Sequence, residues 1–484
     1  MRDVLAAALS GALLLAAAPP LDLTPLIFVA LVPLLAAARA AANVVRACGL
    51  GWRAGAVVHA GLFAWLPATL RRAQGLPWPA AMALFAAFVA FHALQFALAA
   101  AGARLGRSAA ARVAACTAAW VLLEWGFPKV FPWSLGAGLG PHPLLRQAAD
   151  LGGAYGLAAE VLVVNALLAE ALLTWAPRPL RAGIALAGAG VVLGTAATYG
   201  VWHRNAADSV GDAVRVAAVQ PGDGGASPAP AAERAWARLA RLSVAPAVRA
   251  DAVVWPESAW PVYVRDAPFW RDRVETLARD LDSVVVAGAL DRVAGGGDRT
   301  AAYVFAPALV GVAAKAELVP FGEYLPEWLP LGSAWRPIAP RHPGSSPAVI
   351  DAGGIPLAIR ICFEAIRPGA FNAAVRAGAA LLLNPSDDGW FASPWAAAQH
   401  GEMVRLRAVE TRRWLVRASG SGISAAIDPR GAIVAALPFG ARGVIDRRVT
   451  LETGLTPYAR WGDAPLLAAS GALLLWGAAP RARH

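Results

Sequence analysis

Long apolar segments fill the N-terminal part of this chain and return close to its C-terminal end. A helix that spans a bilayer needs about 20 predominantly apolar residues, within a range of about 17–25. Eight segments meet this description: 3–20, 24–40, 52–70, 77–101, 109–127, 153–174, 181–201 and 463–479. The sequence therefore predicts a polytopic α-helical membrane domain over 1–201, an extramembrane domain over 202–462, and a C-terminal transmembrane helix with a short tail over 463–484.

The arginines indicate an orientation for these segments. Most of those beside the apolar segments fall on one side of an eight-span arrangement: Arg2, Arg39, Arg46, Arg53, Arg104, Arg107, Arg112, Arg178, Arg181, Arg481 and Arg483. Positive residues favour the cytoplasm, so we expect both termini inside and residues 202–462 outside. Arg71 and Arg72 are exceptions, because they fall on the outer side. The membrane flanks account for much of the net charge of +11, and no basic stripe with interleaved aromatics indicates a nucleic-acid partner.

The region from residue 214 to 436 alternates short β-rich runs with amphipathic helical stretches. The helical stretches cover 230–244, 267–281, 366–377 and 395–412. The β-rich runs cover 214–219, 251–255, 283–288, 301–306, 311–315, 347–351, 356–361, 379–383, 414–418, 423–427 and 432–436. This alternation predicts an α/β sandwich in which helices cover the sheets. The glycine-rich segment 294–298 is expected at the tip of a hairpin.

Cys362 stands out in the extramembrane domain because the other two cysteines, Cys48 and Cys116, lie in or beside predicted membrane helices. Three cysteines in these places do not form a disulfide framework. An apolar, strand-like run over 356–361 ends directly at Cys362, and Glu364 follows two residues later. A cysteine at a strand end most often only packs, so a chemical role requires further residues close to it.

Glu257 and Lys315 are the residues that give this thiol a chemical meaning. Lys315 is one of two lysines in a chain whose Lys and Arg total 43, which suggests a need for a compact ammonium. A free thiol has a pKa of about 8.5, and Lys315 with a helical N-terminal turn at Cys362 is expected to lower it. Glu257 would accept the thiol proton, while Lys315 and the backbone N–H of Phe363 would hold an oxyanion. This chemistry depends on the residues converging in space, which periodicity does not show.

Three blocks of sequence carry a family resemblance. They are Trp255-Pro-Glu257-Ser, Lys315-Ala-Glu-Leu-Val-Pro-Phe-Gly-Glu323-Tyr and Ile361-Cys362-Phe363-Glu364, and further matching segments are Phe131-Pro-Trp133, Asp388-Gly-Trp-Phe391, Gln399-His400, Arg407-Ala-Val-Glu410 and Gly454-Leu-Thr-Pro-Tyr458-Ala-Arg-Trp-Gly-Asp463. The blocks resemble those of the nitrilase superfamily, and more narrowly those of the bacterial apolipoprotein N-acyltransferase family. The resemblance covers nearly the whole chain. It implies a nitrilase-type αββα sandwich, a carbon-nitrogen hydrolase domain, attached to a membrane domain.

The resemblance also implies roles for single residues. Glu257 is the general base and acid, Lys315 the oxyanion stabiliser and Cys362 the nucleophile. The supporting residues are Glu323, Glu364 and Phe363, and the candidates for lipid contact are Trp133, Trp260, Trp328, Trp335 and Trp390. The segment 324–337, which is rich in proline and tryptophan, is expected to be a mobile arm at the membrane surface.

Several positions depart from the family pattern. Phe363 replaces a common Tyr, Asp387 replaces an Asn, Ala314 replaces a polar residue, and 300–302 lacks an expected Asn. None of these departures changes the three catalytic candidates. Asp387 and Asp388 are expected to be turn or cap residues, and His400 is expected to be structural.

The implied activity is the last step of lipoprotein maturation. An acyl chain passes from a membrane glycerophospholipid, through a thioester on Cys362, to the α-amine of the diacylglyceryl-cysteine of an apolipoprotein. The resemblance implies a monomer in the bacterial cytoplasmic (inner) membrane, with its catalytic domain on the periplasmic side and with the bilayer, the phospholipid donor and the apolipoprotein as partners. Neither a cofactor nor a metal is expected.

Two alternatives remain open at the level of sequence. The first is a membrane-tethered amidohydrolase of the nitrilase type that acts on a soluble nitrogen compound. The second is a non-enzymatic transporter or scaffold. The predicted spans contain few ionisable residues, chiefly Glu124, Glu160 and Glu170, whereas transport paths usually need them.

Overall fold

The computed structural model describes residues 1–205, 211–222, 232–245, 249–327 and 337–479. This part of the chain forms two compact units. One is helical and takes in the described residues of 1–68, 77–206 and 461–484. The other is an α/β unit that takes in the described residues of 69–76 and 207–460.

The α-helices of the described residues lie in both units. In order they are α1 (Arg2–Ala17), α2 (Val32–Ala40), α3 (Val44–Leu62), α4 (Leu66–Gln74), α5 (Trp78–Gly102), α6 (Ala109–Gly126), α7 (Ala149–Thr174), α8 (Pro179–Asn205), α9 (Ala232–Ser243), α10 (Pro268–Leu281), α11 (Asn372–Arg376), α12 (Pro394–Thr411), α13 (Pro457–Trp461) and α14 (Ala464–Ala478).

Three helices in the described ranges are long and apolar enough to cross a membrane: Trp78–Gly102, Leu145–Thr174 and Pro179–Asn205. Thr24–Ala40 and Ala464–Ala478 are shorter apolar helices. Such long helices are compatible with the predicted membrane domain, while the count of eight spans stays a prediction.

The predicted span 52–70 has the wrong bounds. Helix α3 begins eight residues earlier than predicted, where the Asn43 side chain caps it by accepting from Arg46 N at 2.9 Å. It ends at Leu62, and the short helix α4 follows. Hydropathy identified the apolar centre of this segment. The Asn43 cap sets the start of α3, and the turn over 63–65 sets its end.

Glycines allow α3 to approach α5 closely. A Cβ added at Gly51 would lie 2.2 Å from Phe96 O, and one at Gly55 would lie 2.9 Å from Ala93 Cα. Small residues at such contacts are typical of helix pairs in membranes, where close packing replaces the hydrophobic driving force.

The strands of the α/β unit form two six-stranded sheets. In chain order the strands are β1 (Ala213–Gln220), β2 (Ala252–Val254), β3 (Val284–Arg292), β4 (Asp298–Phe305), β5 (Leu309–Ala314), β6 (Ile350–Ala352), β7 (Ile355–Ile359), β8 (Leu381–Ser386), β9 (Trp414–Ser419), β10 (Ser424–Ile427), β11 (Ile433–Leu437) and β12 (Gly443–Thr450). The first sheet has the order β12-β1-β2-β3-β4-β5, and the second has the order β11-β10-β9-β8-β7-β6. Parallel pairing runs through β1, β2 and β3 in one sheet and through β7, β8 and β9 in the other.

The sheets face each other, with β1 opposite β9 and β5 opposite β6. Helices α9 and α10 bury Trp236, Leu239 and Val274 against the first sheet, and α12 packs on β9 of the second. The predicted αββα sandwich is therefore confirmed. The expected hairpin tip at 294–298 lies between β3 and β4.

Two elements differ from the prediction. Strand β12 was missed because its run Asp446-Arg447-Arg448 hides the alternation of a half-exposed strand, although it pairs with all of β1. The predicted helix 366–377 is reduced to α11, because Pro368 and Gly369 separate it from the short turn before it. Gly369 has a φ of 72°, a conformation that a continuing helix does not allow.

Candidate active site

Glu257 lies just beyond the end of β2. In the turn that carries it, Trp255 N donates to Val286 O at 2.8 Å. The neighbouring strand β3 contributes Gly288, where an added Cβ would lie 1.7 Å from Pro256 O. Because only glycine leaves room for this turn, the backbone that carries Glu257 is fixed against β3.

Lys315 follows β5 and is held between two carboxylates. Its Nζ donates to Glu257 Oε1 and to Glu323 Oε1, each at 2.9 Å. Glu323 is itself fixed, since its Oε2 accepts from Val319 N at 2.7 Å. Burial alone would lower the pKa of Lys315, but the two carboxylates hold that pKa well above its usual value. The ammonium therefore keeps its charge inside the protein.

Cys362 follows β7 and opens a short 3-10 turn, Cys362–Ile366. Its φ is 51°, a conformation that costs a non-glycine residue roughly 1–3 kcal/mol and persists only where the surroundings enforce it. The residue is buried, and Glu257 and Lys315 lie close enough for their charges to act on the thiol. The structure thus brings together the three residues that the sequence singled out.

The expected lowering of the Cys362 pKa is wrong. Burial raises the pKa of the thiol above its usual value and the Glu257 carboxylate raises it further, while Lys315 opposes both without overcoming them. Because Lys315 already faces two carboxylates, most of its charge is balanced. The resting thiol therefore keeps its proton at neutral pH, and a base must take that proton during attack.

Glu364 joins two of the sequence blocks. Its Oε1 accepts from Ala316 N at 2.8 Å and from Glu317 N at 3.2 Å, and its Oε2 accepts from Ile361 N at 2.7 Å. Burial raises the pKa of this carboxyl above its usual value, and the three N–H donors offset that rise only in part. The chain segment of the nucleophile is thereby tied to that of the lysine.

Phe363 and Asp387, which depart from the family pattern, both lie at this site. Phe363 is buried next to the nucleophile in the 3-10 turn. Asp387 Oδ1 accepts from Gly389 N at 2.9 Å, so its side chain forms a turn as expected. Its backbone N–H donates to Glu257 Oε2 at 3.2 Å. This contact leaves the candidate base with a backbone donor on one oxygen and Lys315 on the other.

A buried polar network near Cys362 was not predicted from the sequence. Its members are Asn384, Ser386, Asp388, His400 and Arg417, none more than 4% exposed. The sequence offered one signal of this network, the polar residues Asn384 and Ser386 at alternate positions of β8. Strands buried on both faces are usually almost entirely apolar.

Asp388 is the centre of this network rather than a turn or cap residue. Both of its oxygens lie 2.6 Å from Arg417 Nη2, and Oδ1 lies 2.7 Å from His400 Nδ1. Burial alone would raise the pKa of Asp388, but Arg417 and His400 bring it well below its usual value. Burial lowers the pKa of His400, and the charge of Arg417 lowers it further. Asp388 opposes this lowering without overcoming it, so the pKa of His400 stays below its usual value.

The candidates for lipid contact fall into different places. Trp260 is completely buried in an aromatic core with Trp236 and Trp255, which corrects its prediction as a lipid contact. Trp133 is half-buried within the helical unit, and Trp390 is half-buried in the α/β unit. Trp328, Trp335 and most of the predicted arm lie outside the described residues.

A short segment after α3 groups with the α/β unit. Thr69 Oγ1 donates to Phe391 O at 2.7 Å, and Arg72 Nη2 donates to Gly389 O at 3.0 Å and to Trp390 O at 3.2 Å. Three successive carbonyls of the turn after Asp388 are thus bound by this one segment.

The described part of the chain contains no group of three His, Cys, Asp or Glu residues placed to hold a metal ion. The ionisable groups around Cys362 instead bind one another and the backbone. What they offer chemically is a protonated thiol, a carboxylate that can take its proton, and a permanently charged ammonium.

Comparisons with known proteins identify two matching families and several relatives. Residues 10–167 match the family described as the apolipoprotein N-acyltransferase N-terminal domain, and residues 215–455 match the carbon-nitrogen hydrolase family. A Geobacter metallireducens protein named apolipoprotein N-acyltransferase is 33% identical over 96% of this chain and 92% of its own length. One of the same name from Azotobacter vinelandii is 33% identical over 96% and 93%. An amidase of the nitrilase superfamily from Nesterenkonia AN1 aligns over 52% of this chain and 95% of its own, with 21% identity and a TM-score of 0.39.

Proposed function

This chain belongs to the apolipoprotein N-acyltransferase family, and from that premise we propose that it completes lipoprotein maturation by a ping-pong acyl transfer. The donor is a membrane glycerophospholipid, and the acceptor is the α-amine of the diacylglyceryl-cysteine at the N-terminus of an apolipoprotein. The observation behind this proposal is a buried Lys315–Glu257 ion pair that lies close enough for its charges to act on the buried Cys362 thiol.

In the first half-reaction, Cys362 Sγ attacks the ester carbonyl carbon of the phospholipid. Glu257 takes the thiol proton as the S–C bond forms, because the thiol is not ionised beforehand. The charge that develops on the carbonyl oxygen is stabilised by the Lys315 ammonium and by the backbone N–H of Phe363. The C–O bond then breaks, and Glu257 returns its proton to the alkoxide of the departing lysophospholipid.

In the second half-reaction, the neutral α-amine attacks the thioester carbonyl. Glu257, again a carboxylate, takes a proton from the attacking nitrogen. The C–S bond breaks, and the sulfur regains a proton from Glu257. The products are the N-acyl amide and the resting thiol, so both the proton count and the charge of the site are restored.

We place the enzyme in the bacterial inner membrane, with both termini in the cytoplasm and the α/β unit outside. This topology has Arg71 and Arg72 on the outer side, against the usual arginine bias. The contacts of Arg72 with Gly389 O and Trp390 O supply a reason for the exception, since both carbonyls belong to the α/β unit.

The test uses the full chain in detergent, a phosphatidylethanolamine with a clickable acyl chain, and a synthetic diacylglyceryl-cysteine peptide. We expect N-acyl peptide and lysophospholipid to form in equal amounts. A membrane-tethered amidohydrolase would instead release ammonia from small amides and leave the peptide unmodified. That result, or the absence of any chemistry, would overturn the proposal.

A further inference from the structure

The side chain of Asn384 holds the backbone of Cys362. Its Nδ2 donates to Cys362 O at 3.3 Å and to Arg360 O at 2.7 Å. Its Oδ1 accepts from Arg417 Nη1, and this bond decides which way the amide faces. Asn384 is completely buried, so no water competes for either end.

The hydroxyl of Ser386 belongs to the same buried set of contacts, and it donates to Asp388 Oδ1 at 3.4 Å. Arg417 Nη2 donates to Ser386 Oγ at 3.1 Å. One guanidinium therefore reaches the carbonyl of Cys362 through the Asn384 amide and also binds the Ser386 hydroxyl.

Strand pairing places Arg417 where it can serve both groups. Arg417 on β9 is the register partner of Asn384 on the parallel strand β8, and Ser386 follows two residues later on the same face. Both oxygens of Asp388 accept from the same Nη2 that binds Ser386. A planar fork with several fixed donors meets these demands together, whereas the single ammonium of lysine does not.

We propose that Arg417 is a positioning residue for Cys362. By orienting Asn384, it holds Cys362 in the left-handed conformation in which the thiol lies beside Glu257 and Lys315. This inference rests on the proposed function, because it takes Cys362 as the nucleophile. Misplacing a reacting atom by about 1 Å can cost about 10²-fold in rate, so loss of this hold should be visible in kinetics.

Arg417→Lys is the first test, with Arg413→Lys as its matched control. Arg413 is also 1% exposed, but its guanidinium binds Ala379 O at 3.1 Å and Gly454 O at 2.8 Å. In Arg417→Lys we expect alkylation of Cys362 by iodoacetamide to slow about tenfold or more. We expect kcat for acyl transfer to fall about 10–100-fold, with KM for the phospholipid changing less than about threefold. In Arg413→Lys both rates should stay close to wild type at a temperature at which the variant is folded.

Asn384→Asp is the second test, and it replaces the first if Arg417→Lys does not fold. The carboxylate still accepts from Arg417 but cannot donate to Cys362 O. Its control is Asn372→Asp, because Asn372 is also buried and its Nδ2 donates to Tyr458 O at 3.1 Å. We expect slower alkylation and lower kcat in Asn384→Asp and not in Asn372→Asp.

A role in stability alone would lower the melting temperature of both members of a pair and leave alkylation of the folded protein at the wild-type rate. That outcome overturns the inference. The alkylation comparison needs no acyl donor, so it tests the positioning role of Arg417 even if the wild-type chain transfers no acyl chain. A wild-type chain that transfers no acyl chain would count against the proposed function alone.

Discussion

Lys315 Nζ lies 2.9 Å from Glu257 Oε1, and the two side chains are 1% and 9% exposed. Breaking an ion pair that is buried in this way strongly destabilises the fold, because the charge that remains has no partner. The pair also keeps the Lys315 ammonium charged next to a thiol whose pKa is raised. The proposed mechanism uses both of these groups, with Glu257 as the base.

Lys315→Arg should be nearly as damaging as Lys315→Ala. The arginine keeps the charge, but the space between Glu257 and Glu323 is fitted to a compact ammonium, and a longer planar group cannot take the same point beside an oxyanion. Loss of one oxyanion donor typically costs about 10²–10³ in rate. Single-turnover formation of the acyl-enzyme measures this effect, and turnover close to wild type in the arginine variant would mean that Lys315 supplies only a general positive potential.

The thiol of Cys362 should titrate at high pH. In Glu257→Gln the carboxylate is gone, but burial, the larger cause of the raised pKa, remains. The rate of alkylation by iodoacetamide should therefore still be rising at pH 9.5, because the thiolate fraction has not saturated. An exposed cysteine peptide, with a pKa of about 8.5, is the control and should level off. A plateau below pH 8 in the variant would show that Lys315 dominates and that the thiol is activated beforehand.

Glu364→Gln should impair both stability and catalysis. The amide presents an NH₂ group to at least one of the three backbone N–H groups that the carboxylate now binds, and a buried donor left unpaired costs about 1–3 kcal/mol. We expect a lower melting temperature and at least about a tenfold loss of acyl transfer. Glu317→Gln is the control, because Glu317 forms a half-exposed pair with Arg367. Equal behaviour of the two variants would remove Glu364 from the site.

Thr69→Val should loosen the turn after Asp388. Valine has the shape of threonine but lacks the hydroxyl that donates to Phe391 O, whereas Thr69→Ser keeps it. The valine variant should show faster hydrogen exchange over residues 388–393 and a melting temperature lower by a few degrees, while the serine variant should not. Equal exchange in both variants would show that this hydrogen bond does not hold the turn.

Much of the α/β fold could be predicted because its strands and helices carry clear periodicity. The runs that became β1 and β3 and the stretches that became α9 and α12 were all recognisable from sequence. Strand β12 was not, since charged residues interrupt its pattern and only pairing with β1 stabilises it. The start of α3 escaped prediction for a similar reason, because a single capping side chain determines it rather than hydropathy.

The candidate site could be predicted in its residues but not in its electrostatics. Glu257, Lys315 and Cys362 each follow a strand, and their motifs identified them. The direction of the Cys362 pKa shift could not be derived, because it depends on how deeply the thiol is buried and on whether Lys315 is already paired. The proposed role of Arg417 could not be predicted for the same reason, since its contacts with Asn384 and Ser386 form only when β8 and β9 pair.

Cys362 is proposed to carry the acyl chain, and capture of the acyl-enzyme is the sharpest test of that role. The full chain with Cys48→Ser and Cys116→Ser keeps one cysteine, Cys362. Incubated with a phospholipid that bears a clickable acyl chain and no acceptor peptide, it should gain a hydroxylamine-labile label that peptide mass spectrometry places on Cys362. The matched variant Cys362→Ala, which keeps the other two cysteines, should fold and gain none. Hydroxylamine-labile acylation of Cys362→Ala at the wild-type level, or none in the chain that keeps Cys362, would show that Cys362 does not carry the acyl chain.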